Sequence, residues 1–221
     1  VENLDTFWPA IDTSANIAAA KQAWLCANDA ILLPALNGVY RPEYLELLGE
    51  DAPEFTAEEM KIIGTPCDFV GLNYYSGLPV RAAASSAIKM HGKTLVNPGF
   101  EYLPFSNDFP RTDMTWPITP KALYYALKFM QEEFADLPIY ITENGMAAAD
   151  VEQTNGEVID LSRVEYLRTH LEMLSTAKYE GVNLKGYFVW SLMDNYEWSF
   201  GYSKRFGIYR VNYTTQERKL K

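Results

Sequence analysis

Three short apolar runs, each separated from the next by a segment of helical periodicity, constrain the fold more than any other feature. They are Cys67 to Tyr75, Pro138 to Thr142 and Gly186 to Trp190. Rich in β-branched and aromatic residues and without strict alternation, they read as strands buried on both faces. After the first run, Thr119-Pro120 offers an N-cap with proline at the first helical position. Leu123, Leu127, Met130 and Phe134 then recur at helical spacing. After the second, Ser162 to Glu165 has the form of a capping box, and Val164, Leu167, Leu171, Leu174 and Ala177 share one face before Gly181. Strand, helix, strand, helix, strand is the order of an α/β chain built of right-handed βαβ units around a parallel sheet.

The segment before these runs reads as mainly helical. Asp12-Thr13-Ser14 is an N-cap cluster for a helix from Ala15 to about Leu33, with Ile17, Ala20, Trp24 and Ala27 near one face and Pro34 as its expected stop. Asn37-Gly38 marks a turn, Pro42 to Leu48 a short helix ended by Gly49, and Thr56 to Glu59 the capping box of another. Residues 76–111 are rich in Gly, Pro, Ser and Asn, show little periodicity, and read as a long functional or mobile loop. No linker divides the chain, so residues 1–221 are expected to form a single domain.

The second run stops at Glu143, and Asn144-Gly145 turns the chain at once. In an α/β barrel the C-terminal strand ends carry the catalytic side chains. A carboxylate at such a tip is a candidate nucleophile or general base, the alternative being an acid that caps the next turn. Asn73 and Tyr75 end the first run and Trp190 the third, so parallel neighbouring strands would bring all of these groups to one face.

The net charge of −10 argues against nucleic acid and anionic lipid as partners. Cys26 and Cys67 make neither a disulfide framework nor a zinc spacing, and His91 and His170 sit in no ligand-spaced cluster, so no metal or other cofactor is expected. The N-terminus lacks a signal-peptide layout and no apolar run is long enough to span a bilayer. The expectation is a soluble protein of a reducing, cytoplasmic compartment. Aromatic residues at 14% suit a packed core and also a site that stacks flat apolar faces such as those of sugars or bases.

Four stretches, Asp68 to Ser76, Thr112 to Trp116, Tyr140 to Gly145 and Trp190 to Asn212, together resemble glycoside hydrolase family 1, the β-glucosidase family. Ile141-Thr142-Glu143-Asn144-Gly145 is similar to that family's nucleophile motif, and Gly186 through Trp198 to its sugar-binding segment. The resemblance implies a (β/α)8 barrel that hydrolyses β-glycosides with retention, using two carboxyl groups roughly 5–5.5 Å apart. It implies Glu143 as nucleophile, Tyr75 as donor to its carboxylate, and Asn73 placing the sugar. Glu197 would accept two sugar hydroxyls, Trp190 and Trp198 would line the pocket, Trp116 would flank the leaving-group side and Phe206 the pocket wall. Asp113 and Asp194, in matching stretches, read as structural.

The family's acid/base Glu lies in an Asn-Glu-Pro motif, and none occurs here. The resemblance therefore implies the C-terminal half of a barrel, from just after its fifth strand, needing an N-terminal half or self-association to cover an open edge. Two other readings stay open. One is a non-catalytic sugar-binding or structural fragment. The other is a member acting on 6-phosphorylated sugars, against which Glu197 speaks because a carboxylate repels phosphate.

Overall fold

The structure, a computed structural model, describes residues 2–221. In chain order the strands are β1 (Glu2–Asn3), β2 (Phe7–Pro9), β3 (Val70–Tyr74), β4 (Leu78–Ala82), β5 (Ala87–Met90), β6 (Lys93–Val96), β7 (Phe100–Tyr102), β8 (Ile139–Asn144), β9 (Leu184–Val189), β10 (Tyr209–Val211) and β11 (Arg218–Leu220). The helices are α1 (Ser14–Asn37), α2 (Pro42–Leu48), α3 (Ala57–Ile63), α4 (Pro120–Glu133) and α5 (Leu161–Tyr179). These elements form two compact units.

The first unit holds residues 2–3, 70–77 and 106–221. Its sheet has the order β1-β3-β8-β9, parallel throughout. α4 connects β3 to β8 and α5 connects β8 to β9, so all three expected strands are present, alternating with helices. The sheet is open, with β1 and β9 as its outer members.

Two helix starts differ from expectation. Thr119 precedes α4 but does not cap it: its hydroxyl accepts from Gly77 N–H (2.9 Å) and meets the Tyr74 hydroxyl (2.8 Å). The buried Tyr74 takes the hydroxyl that a cap would have used. α5 begins at Leu161 with Asp160 at its N-cap, so Ser162 lies inside the helix and Glu165 pairs with Arg168 instead of closing a box. The face that α5 buries is also different. Arg163, Tyr166, His170, Leu174 and Ala177 are buried, while Val164 and Leu171 are exposed. The three polar members each find partners in the interior, and this outweighs the apolar stripe beside them.

The second unit holds residues 4–69 and 78–105. Thr13 caps α1 by accepting from Asn16 N–H (3.3 Å). Pro34 does not stop this helix. It lies in the last turn, where its missing N–H forfeits a single bond, and Gly38, at φ 66°, closes the helix with its N–H on the Pro34 carbonyl. The capping box of α3 is complete, with Thr56 N–H on Glu59 (2.7 Å) and Glu59 N–H on the Thr56 hydroxyl (3.2 Å). The segment expected as a loop instead carries four short strands. β4 and β7 join β2 in a three-stranded sheet, and β5 and β6 form a hairpin turning at His91-Gly92, both at positive φ. Strands of three to five residues between glycines leave too little periodicity to be read. Cys26 and Cys67 are free thiols.

Candidate active site

The ends of β3 and β8 bring the first expected group together. Their register sets Asn73 beside Glu143 and Tyr74 beside Asn144. Side chains alternate along a strand, so Asn144 turns inward where Glu143 does not. The Tyr75 hydroxyl donates to Glu143 Oε2 at 2.6 Å. Burial first, then this bond and the Glu143 charge, push the Tyr75 phenol far above its ordinary value, so it remains a donor. Asn73 does not touch Glu143 through a hydrogen bond of its own. Its amide oxygen accepts from the Thr142 hydroxyl at 2.7 Å, which fixes the amide's orientation.

Trp116, Phe206 and Tyr75 form a triangle of rings with centroids 5.3, 6.0 and 6.1 Å apart. Phe206 is buried with Met114 and Ala147, and Tyr75, Trp116 and Trp190 pack on that cluster. Phe206 therefore packs against both Tyr75 and Trp116 from the buried side. Trp190 follows β9, and its backbone N–H donates to the Asn144 carbonyl at 2.9 Å. The Trp190–Ser191 peptide is cis. Gly145 is required beside it, because a Cβ there would stand 1.7 Å from the Trp190 carbonyl oxygen.

Glu197 is half-buried on the connection that follows. Burial, and after it the charge of Glu143, hold its carboxyl above the usual range, so the two acids sense one another. Trp198, at φ 44°, is 82% exposed and stands in solvent instead of lining the cluster.

The frame behind Glu143 escaped the sequence reading. The Asn144 amide donates to the Tyr74 carbonyl (2.9 Å) and to the Tyr166 hydroxyl (3.0 Å), and accepts from the Tyr187 hydroxyl (2.8 Å). Tyr166 in turn donates to the Tyr75 carbonyl (3.3 Å), and His170 stacks on its ring at 3.9 Å. One fully buried amide thus ties the ends of three strands to α5. The signal lay in the spacing of Arg163, Tyr166 and His170, a polar stripe at i, i+3 and i+7.

A second frame holds the connections. Arg163 pairs with Asp150 and Asp160 (both 2.7 Å) and donates to the Met146 and Arg205 carbonyls. Asp194 pairs with Arg205 (2.5 Å) and Lys221 (2.8 Å) and accepts from Gly207 and Val211 N–H. Asp113 pairs with Lys204 at 3.0 Å. Asp194 thus bonds backbone, as its structural reading expected. Among the described residues, no group of three or more His, Cys, Asp or Glu side chains could hold a metal ion, and no helix is long and apolar enough to cross a membrane.

The strand ends thus set a carboxylate at a parallel strand tip, bonded by a phenol that packs on an indole ring and sensed by a second acid. Residues 1–221 match the family model for glycosyl hydrolase family 1. A 1,4-β-D-glucan glucohydrolase of Thermotoga neapolitana is 41% identical over 225 residues, which is 100% of this chain and 47% of that protein. β-Glucosidase A of Thermotoga maritima is likewise 41% identical, with 100% and 47% covered. The solved family 1 β-glucosidase of Thermotoga maritima in complex with isofagomine lactam superposes with a TM-score of 0.78 at 40% identity, over 99% of this chain and 47% of that one. The chain belongs to glycosyl hydrolase family 1. It spans about half the length of the curated relatives it matches, and its open parallel sheet is a portion of the barrel seen in its solved neighbours.

Proposed function

We propose that this chain supplies the nucleophile side of a retaining β-glucosidase acting on terminal β-D-glucosides or short oligosaccharides. A Glu143 oxygen attacks the anomeric carbon as the bond to the aglycone oxygen breaks, giving a glycosyl ester that water then hydrolyses. Tyr75 orients the carboxylate through the 2.6 Å bond, the single observation that carries this reading. Glu197 accepts sugar hydroxyls with its two oxygens. Trp190 and Trp116 border the sugar, and Asn73 helps to place it. The proton for the leaving group comes from residues outside this sequence, contributed by an N-terminal half that completes the barrel. The absent Asn-Glu-Pro motif favours a second reading for the chain by itself, a sugar-binding fragment that turns over no unactivated glucoside.

A 2-deoxy-2-fluoro glucoside with a good leaving group tests the proposal on the chain alone, because departure then needs little protonation. Peptide mapping is expected to find the sugar on Glu143 and nowhere else, and Glu143→Gln is expected to abolish labelling. A label on Glu197 or Asp113, or unchanged labelling of the Gln variant, overturns the assignment.

A further inference from the structure

The first unit carries a concavity of about 320 Å3 whose lining includes neither Glu143 nor Tyr75, Trp116, Trp190 or Glu197. Its walls are Tyr196 and Tyr202, whose rings meet edge to face at 5.3 Å and 82°. Both rings stand in water, at 62% and 55% exposure. They are nonetheless held from below. Tyr202 lies 4.4 Å from the ring of Tyr213, and the Arg205 guanidinium covers Tyr213 at 4.7 Å. Arg205 is fixed by the buried Asp194, and the Tyr213 hydroxyl donates to the Asn195 carbonyl at 3.4 Å. Buried carboxylate, guanidinium, phenol and phenol form one supported stack.

Such a corner presents rigid apolar faces with polar tips, at little cost in side-chain entropy. The rim adds Asn195, Gln216 and Arg218, which offer amide and guanidinium groups beside the rings. The amide nitrogens of Asn195 and Gln216 already bond Ser191, Met193 and Tyr213, and Arg218 donates to the Gln216 carbonyl, so a purely aliphatic ligand would strand only the remaining amide oxygens and guanidinium N–H groups. A pyranose satisfies both parts, because its C–H face lies on an aromatic ring and its equatorial hydroxyls meet amides and a guanidinium. The volume falls at the small end of ligand pockets, which run from roughly 300 to 1,000 Å3, and so fits one or two sugar units.

We propose that the Tyr196–Tyr202 corner is an accessory binding site for a neutral pyranose, separate from the site around Glu143 and Glu197. The proposal rests on the β-glucosidase reading only for its choice of sugar.

The test is titration of the full chain with methyl β-D-glucoside and with cellobiose, followed by saturation-transfer NMR and calorimetry. Wild type is compared with Glu197→Ala, with the double variant Tyr196→Ala/Tyr202→Ala, and with Gln216→Leu. The expected result is a site of about millimolar affinity that survives Glu197→Ala and weakens at least about tenfold in the double variant. Gln216→Leu keeps both tyrosine rings, gives up its amide bond to the Tyr213 carbonyl and one rim partner, and is expected to weaken binding less than the double variant. Absence of sugar binding in Glu197→Ala, or equal affinity in the tyrosine variants, overturns the proposal. Should the reading of Glu143 and Glu197 fail instead, wild type shows one tyrosine-dependent site and Glu197→Ala changes nothing.

Discussion

Tyr166 accepts a 3.0 Å hydrogen bond from the side-chain amide of Asn144, the residue next to Glu143 in β8. Both side chains are buried, and this bond joins α5 to the strand end that presents the candidate nucleophile. The same amide also serves Tyr74 and Tyr187, so the strand end that carries Glu143 is tied to a fully buried group.

Replacing Asn144 with Leu keeps the volume and removes all three bonds. The Tyr187 hydroxyl and the Tyr74 carbonyl lose a partner inside the fold, at roughly 1–3 kcal/mol per orphaned group. A loss of about 2–4 kcal/mol in urea unfolding is expected, with slower labelling of Glu143 by the fluoro-glucoside. Unchanged stability and unchanged labelling would show that the frame is incidental.

His170 gives a pH dependence of known sign. Burial lowers its pKa from 6.5 to about 4, despite the bond its Nδ1–H donates to the Tyr166 carbonyl. Between about pH 6.5 and pH 4 the unfolded chain takes up a proton that the folded chain refuses, so stability falls as pH falls through that window. The full effect is about 3 kcal/mol. His170→Phe retains the stack on Tyr166 and removes the titration, so the slope of stability against pH from 6.5 to 4 is expected to flatten. Chemical denaturation across that range measures it, and a slope equal to wild type refutes the assignment to His170.

The sequence carried the strands and their polar ends well, because apolar runs that finish in Asn73, Glu143 and Trp190 need no tertiary information to be seen. It carried α5 poorly. Val164 and Leu171 satisfied helical periodicity, but Arg163, Tyr166 and His170 had buried partners that only the fold reveals. Thr119 failed as a cap for the same reason, since its hydroxyl is claimed by Tyr74, 45 residues away in sequence. Trp198 shows the opposite limit. The family resemblance implied that it lines a pocket, and in this chain the connection leaves its indole in water.

Gly145 tests the close passage of β8 and the residue after β9. A Cβ at that position lies 1.7 Å from the Trp190 carbonyl oxygen, which is backbone and cannot rotate aside. Gly145→Ala is expected to cost roughly 3 kcal/mol. It should also move Trp190 off the Tyr75–Trp116–Phe206 cluster, with a change in tryptophan fluorescence. An alanine variant with wild-type stability and emission would mean the two segments do not approach this closely.

Arg163 bears two buried carboxylates, Asp150 and Asp160. Arg163→Met keeps much of the stem and removes the charge, leaving Asp160 without its cation and Asp150 with Lys221 alone. Breaking a buried pair from one side costs roughly 3–5 kcal/mol. The loss is expected to lessen in Arg163→Met/Asp160→Asn, where one orphaned charge is also gone. Equal stability of the single and double variants in urea unfolding would place the cost elsewhere.

Glu143 and Glu197 supply the most direct check that the two acids share one site. Burial is the larger cause of the raised Glu197 carboxyl and the Glu143 charge the smaller. Glu143→Gln removes the charge and leaves the shape. The Glu197 pKa is therefore expected to move down in that variant, yet to stay above the ordinary carboxylate value, because its burial is unchanged. Carbon-13 NMR of side-chain-labelled glutamate, titrated in wild type and variant, reads this directly. The opposite exchange, Glu197→Gln, leaves Tyr75 bonded to Glu143, so fluoro-glucoside labelling of Glu143 is expected to persist but to require higher sugar concentrations. A Glu197 titration that ignores Glu143→Gln would separate the two carboxylates and remove Glu197 from the site.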